Sequence, residues 1–152
     1  MSNLTLPTLI RNGRIITATD DYVADVLMMD GIIHTIGRQL EVGGDVAVVD
    51  ATGLYVLPGG VDTHVHLENV IGTTVTCDTF ASGTRAAAFG GTTTIVDFAL
   101  QTATDSPLEA IARAQRNAEP QVAVDFRFHL TCLFTTSAVA DARCCRRTRA
   151  YG

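Results

Sequence analysis

The strongest constraint on the fold lies between Pro58 and Thr131, where segments with strand character alternate with segments with helix character. "GVDTHVH" is a short strand run ending in polar residues. "DTFASGTRAAAFGG", residues 78–91, is expected to be helical, with Asp78 as N-cap, an Ala-rich middle and Gly90-Gly91 as the stop. "TTTIVDFAL", residues 92–100, is β-branched and continuously apolar, the pattern of a buried parallel strand. "SPLEAIARAQRNAEP", residues 106–120, is the clearest helix: Ser106 caps it, Pro107 opens it, Glu109 completes a capping box, and Pro120 ends it. Its expected core face is Leu108, Ile111, Ala112 and the alanines from 114 to 118. "VAVDFRFHLT", residues 122–131, is a third strand. A β-α-β-α-β order requires parallel strands joined by helical crossovers, so the fold class is α/β.

Before Pro58 the pattern is all β. "LIRNGRIIT" places apolar residues on either side of an Asn12-Gly13 turn signal, and Asp30-Gly31 is a strong hairpin signal. "DVAVVDATGLYVLPG" reads as strand, turn at Thr52-Gly53, strand. Short strands broken by turn residues suggest a small sandwich or open barrel. Three regions follow: a β portion over 1–57, the first βα units over 58–131, and an atypical tail over 132–152. The first 131 residues carry 7 Arg and 15 acids, whereas the tail carries 4 Arg and 1 acid. That charge reversal, with no periodicity, argues against a further packed helix in the tail.

Composition excludes several functions. The net charge of -5 disfavours a nucleic-acid or anionic-membrane surface. No window holds the roughly 18 consecutive apolar residues of a membrane span, and the N-terminus lacks a basic, then apolar, signal, so a cytoplasmic location is expected. Cys77, Cys132, Cys144 and Cys145 form no CxxC pair and read as reduced thiols. "GTRAAAFGG" lacks the G-x-G-x-x-G spacing of a nucleotide loop. All eleven basic residues are arginine, so the chain contains no lysine.

The chemistry concentrates in "LPGGVDTHVHLE", residues 57–68. In a strand, residues i and i+2 share a face, so His64 and His66 project together and can bind one divalent ion. The C-terminal ends of parallel strands are where (β/α) barrels carry their sites. Asp62 falls on the same face and could orient a histidine from behind the ion. Asp97 has either that role or a structural hydrogen bond. A bare H-x-H on a strand is common without metal. The preceding Pro-Gly-Gly, which allows close backbone approach, and the βαβαβ context make this one specific. His129, ending the third strand, reads as structural, Arg85 as a solvated surface group, and His34 is assigned no chemistry.

These residues are also familiar as a set. Residues 8–131 resemble the N-terminal part of the cyclic amidohydrolases of the dihydropyrimidinase/D-hydantoinase group, through "LIRNGRIIT", "LPGGVDTHVHLE", "GTTVTCDTFASGTRAAAFGGTTTIVDFA" and "VDFRFHLT". The resemblance implies a β-sandwich packed on a metal-bearing (β/α)8 barrel, of which this chain holds the start. It implies His64 and His66 as ligands of one of two divalent ions, usually zinc. The loop from Glu68 to Thr76 resembles the family's first substrate-gating loop, where Asn69, Val70 and Ile71 depart from the commoner wording. The substrate implied is a small cyclic amide, a hydantoin or dihydropyrimidine, and full-length relatives are expected to be homotetramers. The family's bridging carboxylated lysine has no counterpart here, so no catalytic residue is assigned and the chain by itself is expected to be inactive. The arginine-rich tail stands where the family's continuation is expected, as a frameshift or premature stop would produce. Alternatives are allantoinase or dihydroorotase within the same chemistry, a non-catalytic dihydropyrimidinase-like scaffold, and a β-sandwich interaction protein.

Overall fold

Nine residues, Thr8–Ile16, form the strand β1 on which the first part of the chain is built. The computed structural model describes residues 6–132. The chain divides after Pro58 into two compact units.

In the first unit, β1 pairs antiparallel with β2 (Asp21–Met29), which pairs antiparallel with β3 (Ile32–Gly37). Asp30 and Gly31 both have positive φ, 51° and 77°, as the mirror-image two-residue turn of a tight hairpin requires. The Asn12-Gly13 signal works differently from the expected turn. β1 runs straight through it as a bulge: the register jumps between Ile10 and Gly13, and Asn12 takes φ 59°. Asp25 on the neighbouring strand stabilises this bulge. Its two carboxylate oxygens accept from the backbone N–H of Asn12 and of Leu40, each at 2.9 Å. The Asn12 bond is the main cause of the lowered pKa of Asp25, although the residue is only 4% exposed.

The segment around Thr52-Gly53 also differs from a hairpin. β4 (Ala47–Asp50) and β5 (Tyr55–Val56) both pair with β1, and both run parallel to it. β4 lies along Thr8 to Arg11 and β5 along Arg14 and Ile15, so the turn between them sits opposite the bulge. Gly13 is needed there because a Cβ would collide with the Val56 side chain. The result is one five-stranded sheet, β3-β2-β1-β4 with β5 on β1. Ile15, Ala24 and Val26 are its buried centre. The second sheet that a sandwich needs is absent among the described residues of this unit.

The second unit follows the expected alternation. β6 (Gly60–Asp62), β9 (Thr92–Leu100) and β10 (Asp125–Thr131) form a parallel sheet in the order β10-β9-β6. Helix α1 (Phe80–Phe89) connects the first pair and α2 (Pro107–Ala118) the second. Between β6 and α1, β7 (Val70–Ile71) and β8 (Thr74–Val75) make a small hairpin.

Both helices start with capping boxes. For α2 this is the expected Ser106–Glu109 pair. For α1 the cap is Thr79 rather than Asp78. The Thr79 hydroxyl accepts from Ser82 N–H at 3.1 Å, and Ser82 Oγ accepts from Thr79 N–H at 3.0 Å. Asp78 lies one residue outside, where its carboxylate accepts from the Ser82 hydroxyl. On α2 the buried residues are Pro107, Ala110 and Ala118, while Leu108 is 65% exposed. The small side chains therefore face the sheet, which allows the helix to approach it closely. Alternation along β9 buries Ile95, Asp97 and Ala99. Thr84, fully buried on α1, donates to Phe80 O and accepts from Ala123 N–H, tying α1 to the segment leading into β10. The tail, beyond Cys132, lies outside the described residues.

Candidate metal-binding site

The expected strand through both histidines stops at Asp62. The physical reason is where the backbone groups of the next five residues find partners. Asp62 Oδ1 accepts from His64 N–H at 3.1 Å, and Asp97 Oδ2 accepts from Leu67 N–H at 3.2 Å. His129 Nε2 meets Thr63 O at 3.1 Å. Only Val65 N–H keeps a ladder-like bond, to Val96 O at 3.2 Å. Side chains take up groups that a regular ladder would have paired, so the chain leaves the sheet while staying tied to it.

This path still brings the two imidazoles together. His64 Nε2 and His66 Nε2 lie 3.2 Å apart, with the rings edge to face at 5.0 Å between centroids. Phe98 of β9 is a platform beneath them. Its ring centroid is 4.6 Å from that of His64 and 4.9 Å from that of His66, the latter stacked at 28°. His129 of β10, paired in register with Phe98, adds a third imidazole at 5.0 Å from the same ring. A carbonyl can only accept, so the bond to Thr63 O places the His129 proton on Nε2.

The other residues singled out in the sequence distribute around this pair. Asp62 and Asp97 both contact backbone N–H groups beside the histidines rather than their rings. Asp97 also accepts from Phe98 N–H at 2.6 Å. Burial raises its pKa, and the two N–H bonds and the nearby His66 only partly oppose that. Asn69 reaches the pair directly: its side-chain amide lies 2.9 Å from His66 Nδ1. Val70 and Ile71 form β7 and are exposed. The expected gating loop is thus a short hairpin, closed at its base by Asn69 N–H to Thr76 Oγ1 and Thr76 N–H to Asn69 O.

Two contributors carry no sequence signal of their own. Phe98 reads as one more apolar residue of a buried strand. Glu68 reads as loop, yet Oε1 accepts from the first N–H of α1, at Phe80, and Oε2 from Asn117 of α2. It anchors the segment leaving the histidines to both helices. These groups border a cavity of about 260 Å³ lined by Leu67, Glu68, Asn69, Asp97, Phe98 and Phe128 among others.

Whether the pair suits a metal can be judged from its donors. Two nitrogens bound at about 2.0–2.1 Å to one tetrahedral ion sit about 3.3 Å apart, close to the observed 3.2 Å. Two imidazole nitrogens aimed at each other at a strand end are a borderline-soft donor set of the kind that zinc takes. Among the described residues no third histidine, cysteine or acid joins them.

The profile of the Amidohydrolase family matches residues 55–151, a span that runs into the tail. The chain is 52% identical over 133 residues to a D-hydantoinase from Geobacillus stearothermophilus, covering 88% of this chain and 28% of that protein. It is 46% identical over 127 residues to a D-hydantoinase from Streptomyces coelicolor, covering 81% and 27%. The crystal structure of a dihydropyrimidinase from Brevibacillus agri superposes with a TM-score of 0.81 at 46% identity, covering 88% of this chain and 29% of that one. The chain therefore spans somewhat over a quarter of the length of these relatives.

Proposed function

The chain belongs to the amidohydrolase family, and from that premise we propose that it carries the first metal-ligand pair of a hydrolase that opens a cyclic amide ring, a hydantoin or a dihydropyrimidine. The observation that carries this reading is the convergence of His64 and His66 Nε2 at 3.2 Å, at the C-terminal end of the first parallel strand. The names of the similar proteins supply the substrate class.

In this reading His64 and His66 hold a divalent ion, most readily zinc. The ion supplies Lewis-acid polarisation of the ring carbonyl and activation of water near neutral pH. The chain's own residues do the rest. Phe98 fixes both ring planes from below. Asp97, His129 and Asp62 hold the backbone on which the rings are mounted. The hairpin at Asn69 to Thr76 is joined to the pair through Asn69, and its exposed Val70 and Ile71 would contact the ring substituent. The lysine that the resemblance adds to the ligand set does not occur in these 152 residues, so the chain alone is proposed to be catalytically silent.

The test is a graft. Residues 55–131 replace the matching segment of the Geobacillus stearothermophilus D-hydantoinase, and hydrolysis of dihydrouracil and of a 5-substituted hydantoin is measured with zinc content. The expected result is activity on at least one ring, abolished together with metal loading by His64→Ala or His66→Ala. A folded, metal-loaded graft inactive on both rings would reject the substrate class. A graft that stays metal-loaded when both histidines are replaced would reject the pair as ligands and favour the scaffold reading.

A further inference from the structure

We infer that Glu68 is the positioning residue that sets which ring substituents the proposed site accepts, by tying the base of the hairpin that carries Val70 and Ile71 to both helices; the inference rests on the ring-opening reading above.

Glu68 leaves the histidine segment with φ 51°. This left-handed conformation is unfavourable for a residue with a Cβ. It turns the chain so that Glu68 N–H donates to Asp78 O at 3.0 Å, while Asn69 and Thr76 close the next step of the loop. Residues 68–78 therefore form a loop whose two ends meet. The carboxylate then reaches past this closure. Oε1 accepts from Phe80 N–H at 3.1 Å, and Oε2 accepts from the Asn117 side chain at 2.9 Å. The Phe80 N–H lies in the first turn of α1, where backbone donors have no partner within the helix and negative charge is favoured. Phe80 is itself buried, and Asn117 belongs to α2, so both anchors sit on packed elements.

The hairpin cannot locate itself. β7 and β8 have two residues each and pair only with each other among the described residues, and a two-stranded hairpin alone is marginal. Val70, Ile71 and Val75 are exposed. Glu68, Asn69, Val70 and Asn117 border the cavity of about 260 Å³, so close packing does not fix the hairpin on that side. The two carboxylate bonds do. Without them the hairpin keeps its contact from Asn69 to the His66 ring and moves about it. The histidines stay on Phe98, on a backbone held by Asp62 and Asp97. The change therefore falls on Val70 and Ile71. A ring with a bulky substituent depends on them, and an unsubstituted ring does not.

The experiment uses the graft described above and the 152-residue chain. In the graft, KM is measured for a 5-substituted ring and for the same ring without the substituent, in whichever ring class the graft hydrolyses. Glu68→Ala should raise KM for the substituted ring about 10-fold, the lower end of what a hydrophobic contact contributes to discrimination. Both kcat values, the zinc content and KM for the unsubstituted ring should stay unchanged. Glu68→Gln keeps an acceptor for Phe80 N–H and an amide able to bond Asn117, and should retain the wild-type preference. Glu68→Gly relieves the backbone but loses the carboxylate, and should follow Glu68→Ala. Asn117→Ala, on α2 and remote from the hairpin in sequence, should shift the preference in the same direction by a smaller factor, and it carries the test if Glu68→Ala does not fold. Equal changes in KM for both rings, or a wild-type preference in Glu68→Gly or Asn117→Ala, would overturn the inference. In the 152-residue chain, Glu68→Ala or Asn117→Ala should speed amide exchange of Asn69 and Thr76, by about 10-fold for the former, while the β9 and β10 amides are unchanged, as local opening of one element requires. This measurement needs no activity. An inactive graft counts against the ring-opening reading, whereas unaltered exchange in both variants rejects the role of Glu68 whatever the graft does.

Discussion

Phe98→Ala is expected to loosen the second unit and the histidine pair together. Truncating a core Phe costs about 3–5 kcal/mol, and Phe98 is half-buried, which brings the transfer part to about 2 kcal/mol. The three imidazoles around it, at 4.6, 4.9 and 5.0 Å between centroids, add about 0.5–1.5 kcal/mol each for aromatic geometry. These contributions share the same atoms and do not add fully, so the expected total is about 2–4 kcal/mol. Phe98→Leu keeps most of the volume and loses the stacking, and should cost about half as much. Urea unfolding followed by far-UV circular dichroism measures both. The Ala variant should also bind zinc about 10-fold more weakly, since the rings lose the surface that orients them. A Phe98→Ala chain within about 0.5 kcal/mol of the wild type, below the usual worth of one aromatic pair, would refute the platform argument. So would an Ala variant that loses stability but keeps full zinc affinity.

Asp25→Ala should destabilise the first unit by about 2–4 kcal/mol at pH 7, since two bonds to a charged acceptor are removed; tyrosine fluorescence from Tyr22 and Tyr55 follows it. The Asp25 pKa is lowered below its ordinary 3.8, so this contribution is present above that value and is lost as pH falls through the folded-state pKa. The difference between wild type and variant should therefore shrink in acid, and a difference independent of pH from 7 to about 3 would contradict the bulge-clamp role. Thr84→Val should cost about 1–3 kcal/mol by leaving Ala123 N–H without its acceptor, read by denaturant unfolding; a neutral effect would show that water replaces the hydroxyl. Gly59→Ala should be destabilising because its Cβ would occupy the space of the Thr93 side chain, and Thr93→Ala in the same chain should recover most of the loss. Absence of that rescue would place the cost in the backbone instead.

The alternation after Pro58, the capping box of α2 and the H-x-H spacing were legible in the sequence because each rests on local chemistry. Ser106, Pro107 and Glu109 begin a helix through contacts within one turn. Asp30-Gly31 makes its hairpin from two residues with positive φ. The Asn12-Gly13 pair carries the same local signal and became a bulge, because β4 and β5 lie parallel along β1 and Asp25 accepts the bulge N–H from across the sheet. Residues 13 to 41 positions apart decide that outcome, and no short window contains them. The site divides in the same way. The sequence set two imidazoles one residue apart, but on a segment expected to be strand that leaves the sheet after Asp62. It did not determine that Phe98 would sit beneath them, that His129 would reach over β9 to Thr63 O, or that Asn69 would occupy the second nitrogen of His66. Those contacts exist because β10, β9 and β6 pair side by side in one parallel sheet and bring the ends of three strands and one hairpin to a single place, an arrangement that only the tertiary structure creates.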